Sequence, residues 1–391
     1  MRANSGAKQM PAQTWTICDH TNATSVDELH EQIDGIGTVT KKTLRCGLSA
    51  GVDVVTLDNG QCKVDILPTR GMSIWKAWSG DLEIGWKSPT RGPVHPAFVD
   101  MGEPSGLGWL DGFDEMMVRC GLESNGAPEF NDQGQLTYPL HGRIGNKPAH
   151  YVQITADPEA GTLSVQGIVE ETRFHFLKLR MTSTVTLQAK QPGFQIHDRV
   201  ENISASSAEM QMLYHANFGL PMLDAGSTFV APVKTVVPRN DHAASGIATW
   251  NSYAAEEAGY EEQVYFLELL AKDNGRTQTL LKNAHGTAGA SMLFNKKVLP
   301  CFTVWKNTTA ATDGYVTGLE PGTNFPNPRS YEGEQDRVVK LGGGKSIEFD
   351  LDFVFHRNEA AVSQAEAAIQ AIQGDTAPRV YDKPQAGWCA P

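Results

Sequence analysis

The stretch IEFDLDFVFH, residues 347–356, decides the fold. Ile347, Phe349, Leu351, Phe353 and Phe355 fall on one face of an extended chain, and Glu348, Asp350 and Asp352 fall on the other. A segment with that alternation buries one face and wets the other, as strands of antiparallel sheets do. The same period recurs in VDVVTL (52–57), KVDIL (63–67), TLSVQGIVEE (162–171) and FHFLKLRMTSTVTLQA (174–189). It continues in GFQIHDRVENI (193–203), QVYFLELLA (263–271) and VLPCFTVWKN (298–307). Turn residues separate these runs at Asp58-Asn59-Gly60, Gln191-Pro192-Gly193, Asp273-Asn274-Gly275 and Gly342-Gly343-Gly344. The Asp273-Asn274-Gly275 turn lies between two strand-like runs and is predicted to close a hairpin.

Helical signals are confined to the two ends. Ser25-Val26-Asp27-Glu28 has capping-box spacing and predicts a short helix carrying Val26, Leu29 and Ile33 on one side. Asn358 is placed to cap a second helix with a Val362, Ala365, Ile369 and Ile372 stripe, stopped at Gly374. No linker of Pro/Ser/Gly composition interrupts the strand-rich part. The reading is therefore all-β: an N-terminal extension over 1–44, one large, mostly antiparallel β-sandwich over 45–356, and a C-terminal helix with an extended tail over 357–391.

Composition narrows the function. The chain has 391 residues and a formal net charge of -12, which argues against a nucleic-acid partner because phosphates need a basic surface. No apolar run reaches the roughly 20 residues that span a bilayer, and MRANSGAKQMPAQTW has no apolar core of signal-peptide length. Six scattered cysteines form no CxxC pair, which reads as reduced thiols in a cytoplasmic protein.

Five stretches carry more reactive groups than a sandwich needs. DILPTRGMSIWKAW holds Arg70, and GWLDGFDEMMVRCGLESNGAPEF holds Asp111, Asp114, Glu115, Arg119, Glu123 and Asn125. YPLHGRIGN holds His141, Arg143 and Asn146; MLYHANFG holds His215 and Asn217; GLEPGTNFPNPRSYEGEQDR holds Glu320, Asn324 and Arg329. Two histidines and a carboxylate, each just beyond a strand-like run, suit the opening of a cyclic sugar hemiacetal. That reaction takes a proton from the anomeric hydroxyl and gives one to the ring oxygen, work for a carboxylate and an imidazole. Trp75, Trp78, Trp109 and Trp305 offer faces on which a pyranose can stack, although a tryptophan in such a chain is more often core. The Asp111, Asp114, Glu115 group reads as a helix N-terminus with favourable acidic charge. His95 and His175 read as structural, and His197 as facing solvent.

The order LHG (140–142), His215 followed by Asn-Phe-Gly (217–219), and Leu-Glu-Pro (319–321) resembles that of the aldose 1-epimerase, or galactose mutarotase-like, superfamily. The intervals of 74 and 105 residues between His141, His215 and Glu320 fit as well. LPTRGM, SGLGWLDGF, RCGLESNGAP and EPGTNFPNPR resemble its DUF4432 branch, over roughly Arg45 to His356. The resemblance implies a galactose mutarotase-like β-supersandwich with its site in a cleft across one sheet. It implies His215 as the acid on the ring oxygen, Glu320 as the base on the anomeric hydroxyl, and His141 as a holder of substrate. The Asn-Arg pair that precedes LHG in hexose mutarotases is absent in that form. Arg119 and Asn125 occupy the corresponding stretch, with Arg70 and Arg143 as substitutes; Asn217, Asn324 and Arg329 complete the expected substrate contacts. This abundance of arginine suggests an acidic or otherwise modified sugar.

The expected activity is anomer interconversion of an aldose or modified sugar, without cofactor or metal, the base titrating as an ordinary carboxylate unless desolvated. The expected partner is a small carbohydrate, with no nucleic acid and no membrane; a homodimer is compatible with the sequence but not fixed by it. Metal-dependent isomerase or lyase chemistry on the same cleft, and non-catalytic carbohydrate binding, stay open as alternatives.

Overall fold

The computed structural model describes residues 11–391. The first ten residues of the N-terminal extension read over 1–44 therefore lie outside the described residues. Among the described residues the strands form two large sheets, one of ten strands and one of fourteen, plus a small ribbon of Glu129–Phe130 with Leu136–Tyr138. Pairing between the strands is antiparallel except where Arg379–Val380 runs parallel beside Val233–Pro238, and an isolated parallel bridge joins Gly121 to Gly142. The galactose mutarotase-like, mostly antiparallel β-sandwich read from the sequence is the observed architecture.

The strand Ser346–His356 lies inside the ten-stranded sheet, between Gly193–Asn202 and Gly289–Asn295. Phe349, Leu351, Phe353 and Phe355 are buried, and they join Val55, Ile66, Met212, Tyr214 and Phe218 of the other sheet in one core. Glu348 and Asp350 are exposed. At roughly 1.5–3 kcal/mol per large apolar side chain removed from water, this face holds the two layers together.

Three local expectations are corrected. Residues 28–33 form a strand (Glu28–Ile33) paired with Gly37–Thr43, not a helix. Leu29 and Ile33 serve a helical stripe and a strand face equally well, and the neighbouring strand Gly37–Thr43 supplies the pairing that decides between them. These strands, with Gln13–Asp19 in the other layer, add the N-terminal stretch to both sheets. The Asp273-Asn274-Gly275 turn is present, with the Gly275 N–H donating to the Lys272 carbonyl. It closes no hairpin, because Gln263–Leu269 belongs to the fourteen-stranded sheet and Arg276–Lys282 to the ten-stranded one. Local turn chemistry fixes the bend but not the sheet in which each arm finds its partners. Finally, Phe174 to Leu177 form a turn rather than part of a strand, with Phe174 and Phe176 exposed.

The C-terminal helix Glu359–Gln373 begins at Asn358, whose side-chain oxygen accepts from the Ala361 N–H at 2.9 Å. Val362, Ala365 and Ile369 bury against Leu280. The tail then crosses to the fourteen-stranded sheet, where Trp388 stacks on Phe325 at 5.1 Å. The Asn327 side-chain amide donates to the Trp388 carbonyl at 2.8 Å. All six cysteines are free, and among the described residues no helix is long and apolar enough to cross a membrane.

Candidate active site

Sheet register brings His215 and Glu320 together. In the pairing of Ala208–Gly219 with Val316–Gly322, Leu213 faces Gly322 and Ala216 faces Leu319, so His215 stands directly across from Glu320. Val118 flanks His215 on one side and Thr303 flanks Glu320 on the other. This row occupies the face of the sheet away from the core, because the alternate residues Arg119 and Tyr214 reach Asp198 of the opposite layer. The His215 Nε2 to Glu320 Oε1 distance is 3.3 Å, and both side chains are buried.

His141 arrives from a turn rather than a strand. Its φ of +56° lies in the left-handed region that non-glycine residues rarely adopt. The turn is over-determined: the His141 N–H donates to the Gly126 carbonyl, and its carbonyl accepts from the Gly121 N–H. Gly142 follows at φ +71°, where a Cβ would stand 2.0 Å from the Ser124 carbonyl oxygen. The ring is fixed by its Nδ1–H, which donates to the Asn125 carbonyl at 3.0 Å. Its plane lies nearly perpendicular to that of His215, with ring centres 5.1 Å apart.

The three side chains line one cavity of about 480 Å³. Trp86, Trp109, Phe113 and Trp305 wall it, while Arg239, Glu262, Asp313 and Asn307 supply polar groups. The Trp305 indole N–H donates to Glu262 Oε2 at 2.6 Å, and Arg239 donates to Glu262 Oε1 at 3.2 Å. Burial sets the electrostatics, since a low-dielectric site disfavours the charged form of each group. It pushes Glu320 well above the usual carboxylate range, and Glu262 adds to that. Burial, with His141 adding, pushes His215 well below the imidazole range, and burial brings His141 down to about 4. The base is thus desolvated, the condition under which it is not expected to titrate as an ordinary carboxylate. Both shifts favour a neutral carboxyl beside a neutral imidazole across the 3.3 Å contact.

The expected substrate contacts divide sharply from this constellation. Arg70 is buried, and it donates to Glu115 Oε1 at 2.6 Å, to the Val94 and Gly112 carbonyls, and to Asn146 Oδ1. Arg119 pairs with Asp198 between the sheets and donates to the Met72 carbonyl at 2.6 Å. Arg143 reaches Glu123 at 3.3 Å, and Arg329 donates to the Glu123 carbonyl at 2.7 Å and to Glu209 at 2.9 Å. None of the four lines the cavity. The expectation that these arginines contact substrate is corrected: Arg70, Arg119 and Arg329 are engaged by protein partners, and Arg143 pairs with Glu123 away from the cavity.

Asn125 and Asn324 form a reciprocal amide pair at 2.9 and 2.8 Å behind His141, and Asn217 hydrogen-bonds His215 from below the cavity wall. They support the histidines rather than face the opening. Asp114 and Glu115 follow the short 3-10 turn Gly108–Gly112 instead of starting a helix; Asp114 accepts from the Trp75 indole, and Glu115 pairs with Arg70. Trp109 and Trp305 do face the cavity, whereas Trp78 lies under Lys63. Arg239 and Glu262 gave no sequence signal. They sit beside the ends of paired strands, Val233–Pro238 and Gln263–Leu269, and meet only through that register.

The chain matches the model of a domain of unknown function, DUF4432, over residues 49–354. No curated protein matches it. A crystal structure of a candidate aldose 1-epimerase from Klebsiella pneumoniae is 35% identical, with a TM-score of 0.92 over 96% of this chain and 99% of that one. A galactose mutarotase-like protein from Clostridium acetobutylicum shares the fold at 13% identity and a TM-score of 0.54, covering 85% of this chain and 99% of that one. A candidate aldose 1-epimerase from Escherichia coli K12 shares it at 13% identity and a TM-score of 0.50, covering 78% and 100%. The matched span takes in the turn of His141 and the strands of His215 and Glu320, and on that span the chain belongs to the DUF4432 family.

Proposed function

We propose that the chain interconverts the anomers of an aldose by acid–base ring opening in this cavity. One observation carries the reading: His215 Nε2 and Glu320 Oε1, 3.3 Å apart, share a single aromatic-walled opening with His141. The anomeric oxygen and the ring oxygen of a pyranose are both bonded to C1, so two side-chain atoms at this separation reach both. Glu320 takes the proton of the anomeric hydroxyl, the C1–ring-oxygen bond breaks, and His215 gives its Nε2 proton to the ring oxygen. The open-chain aldehyde turns about C1–C2 and closes on its other face by the reverse transfers. The carboxylate–imidazolium and neutral forms of the pair are then the states before and after opening. Burial favours the neutral form, so ring opening carries the pair from carboxylate–imidazolium toward the state the site prefers.

The ionisable lining favours a neutral aldose. Glu262 already engages Arg239, and Asp313 adds a negative charge with no cationic partner among the described residues, so an added anion would find no free cation in the lining. His141 presents Nε2 toward the cavity as a hydrogen-bond partner for sugar hydroxyls. The test is saturation-transfer NMR between α and β anomers across a panel of neutral aldoses and uronic acids. At least one neutral aldose should exchange faster with protein than without. No enhancement for any member refutes the reading; enhancement confined to uronic acids refutes the neutral class.

A further inference from the structure

Asn217 has a role the expected set of substrate contacts does not describe. Its side chain lies two residues beyond His215 on the same strand face, and its amide nitrogen donates to the Glu115 carbonyl at 3.0 Å and the His215 carbonyl at 3.1 Å. Carbonyls only accept, so the NH2 group must face them, and this forces Oδ1 toward the imidazole. Oδ1 meets His215 Nδ1 at 2.7 Å. An amide oxygen also only accepts, so Nδ1 carries a hydrogen, whatever the charge of the ring.

The anchor beneath this amide is itself fixed. The Glu115 carbonyl takes a second hydrogen bond, from the Trp86 indole at 3.0 Å, which fills both of its lone pairs. The Glu115 carboxylate accepts from Arg70 Nε at 2.6 Å and from the Asp114 N–H at 3.1 Å. Arg70 and Glu115 are each about 1% exposed. Glu115 thus accepts from Arg70 through its carboxylate and from Asn217 through its carbonyl, and the Asn217 amide held in this way offers its oxygen to the Nδ1–H of one ring.

We propose that Asn217, anchored by the Arg70–Glu115 clamp, is a positioning residue that reserves Nε2 of His215 for proton exchange in the cavity. The consequence for catalysis rests on the reading above; the tautomer does not. A ring with the hydrogen on Nε2 instead, when neutral, has no lone pair there to accept a proton, and its basic nitrogen points into the protein. An orienting partner that holds a wrong tautomer can leave geometry intact and still stop the chemistry.

The experiment is ring-nitrogen NMR on full-length protein labelled with 15N-histidine, with His215 assigned from the signal lost in His215→Gln. In the wild-type protein Nδ1 should show the shift of a hydrogen-bearing nitrogen near neutral pH. Asn217→Leu, which keeps the size but not the acceptor, should lose that signature and lower kcat roughly 10–100-fold, the range for loss of an orienting partner. Its KM should change much less. Asn217→Asp keeps the acceptor for Nδ1 but loses the amide donor to the Glu115 and His215 carbonyls, so it should recover the Nδ1–H signature and only part of kcat. A wild-type Nδ1 without hydrogen overturns the proposal even if no variant folds. So does Asn217→Leu with an unchanged tautomer. Wild-type protein with the expected tautomer but no anomer exchange supports the positioning and overturns the ring-opening reading alone.

Discussion

Gly318→Ala should cripple the site without touching the core. Gly318 pairs with Trp305 on the strand of Glu320, on the cavity face. A Cβ built there stands 2.5 Å from Glu320 Oε1, 3.0 Å from His215 Cε1 and 3.1 Å from the Trp305 ring. The carboxylate oxygen must therefore retreat by about 0.9 Å to reach the 3.4 Å of an ordinary contact. Its neighbours leave little freedom, because Thr303 flanks it on the next strand and His215 is tied through Nδ1 to Asn217. A displacement near 1 Å of a reacting group costs on the order of 10²-fold in rate. The φ of Gly318 lies outside the left-handed region, so alanine brings no backbone strain, and crowding of the cavity wall should lower the unfolding free energy by about 1–3 kcal/mol. The assay is the α/β exchange rate of a responsive aldose, beside thermal unfolding. A wild-type rate in the folded variant would show that the His215–Glu320 geometry is not what the reaction uses.

Other outcomes follow from the same contacts. Arg70→Ala should lower stability by roughly 3–5 kcal/mol, since it strands the buried Glu115 carboxylate; chemical denaturation checks this, and a folded variant with only weakened sugar affinity contradicts it. The pH profile of kcat/KM should stay flat through the ordinary imidazole range near pH 6.5 and fall at lower pH, where the depressed His215 takes the pair's second proton. It should fall again on the alkaline side as Glu320, raised by burial, loses its own; an acid limb centred at the free imidazole value refutes the desolvated pair. Asp114 is pushed up to about 7, chiefly by burial. Its folded pKa exceeds its unfolded one, so its contribution is present in full below pH 4 and lost as pH rises through 7. Asp114→Asn keeps an acceptor for the Trp75 indole and should gain about 4 kcal/mol over wild type at pH 8.5, with little difference below about pH 3.5. Equal gaps at the two pH values contradict the assignment.

Most of the strand framework could be read from the sequence, because a two-residue period has one physical meaning when a face is buried: Phe349, Leu351, Phe353 and Phe355 all went inward as expected. What failed were the places where partners decide. Leu29 and Ile33 fit two periods, and the arms of the Asp273-Asn274-Gly275 turn chose different sheets. His215, Glu320 and His141 could be picked out as candidates because short motifs mark each of them; sheet register brings the first two together, and the His141 turn adds the third to their cavity. The arginines misled for a physical reason. A guanidinium that suits a substrate anion equally suits Glu115 or Asp198, and burial with full hydrogen bonding cannot be read from spacing. Arg239 and Glu262 went unseen because their meeting depends on the pairing of Val233–Pro238 with Gln263–Leu269.

The central claim is that proton transfer to and from an imidazole–carboxylate pair opens and closes a sugar ring. The direct measurement is the protein-catalysed α/β exchange rate of a responsive neutral aldose, compared for wild type, Glu320→Gln and His215→Ala at matched folded concentration. The account predicts exchange with wild type and a loss of at least 10²-fold in each variant. Exchange by either variant at the wild-type rate would contradict it.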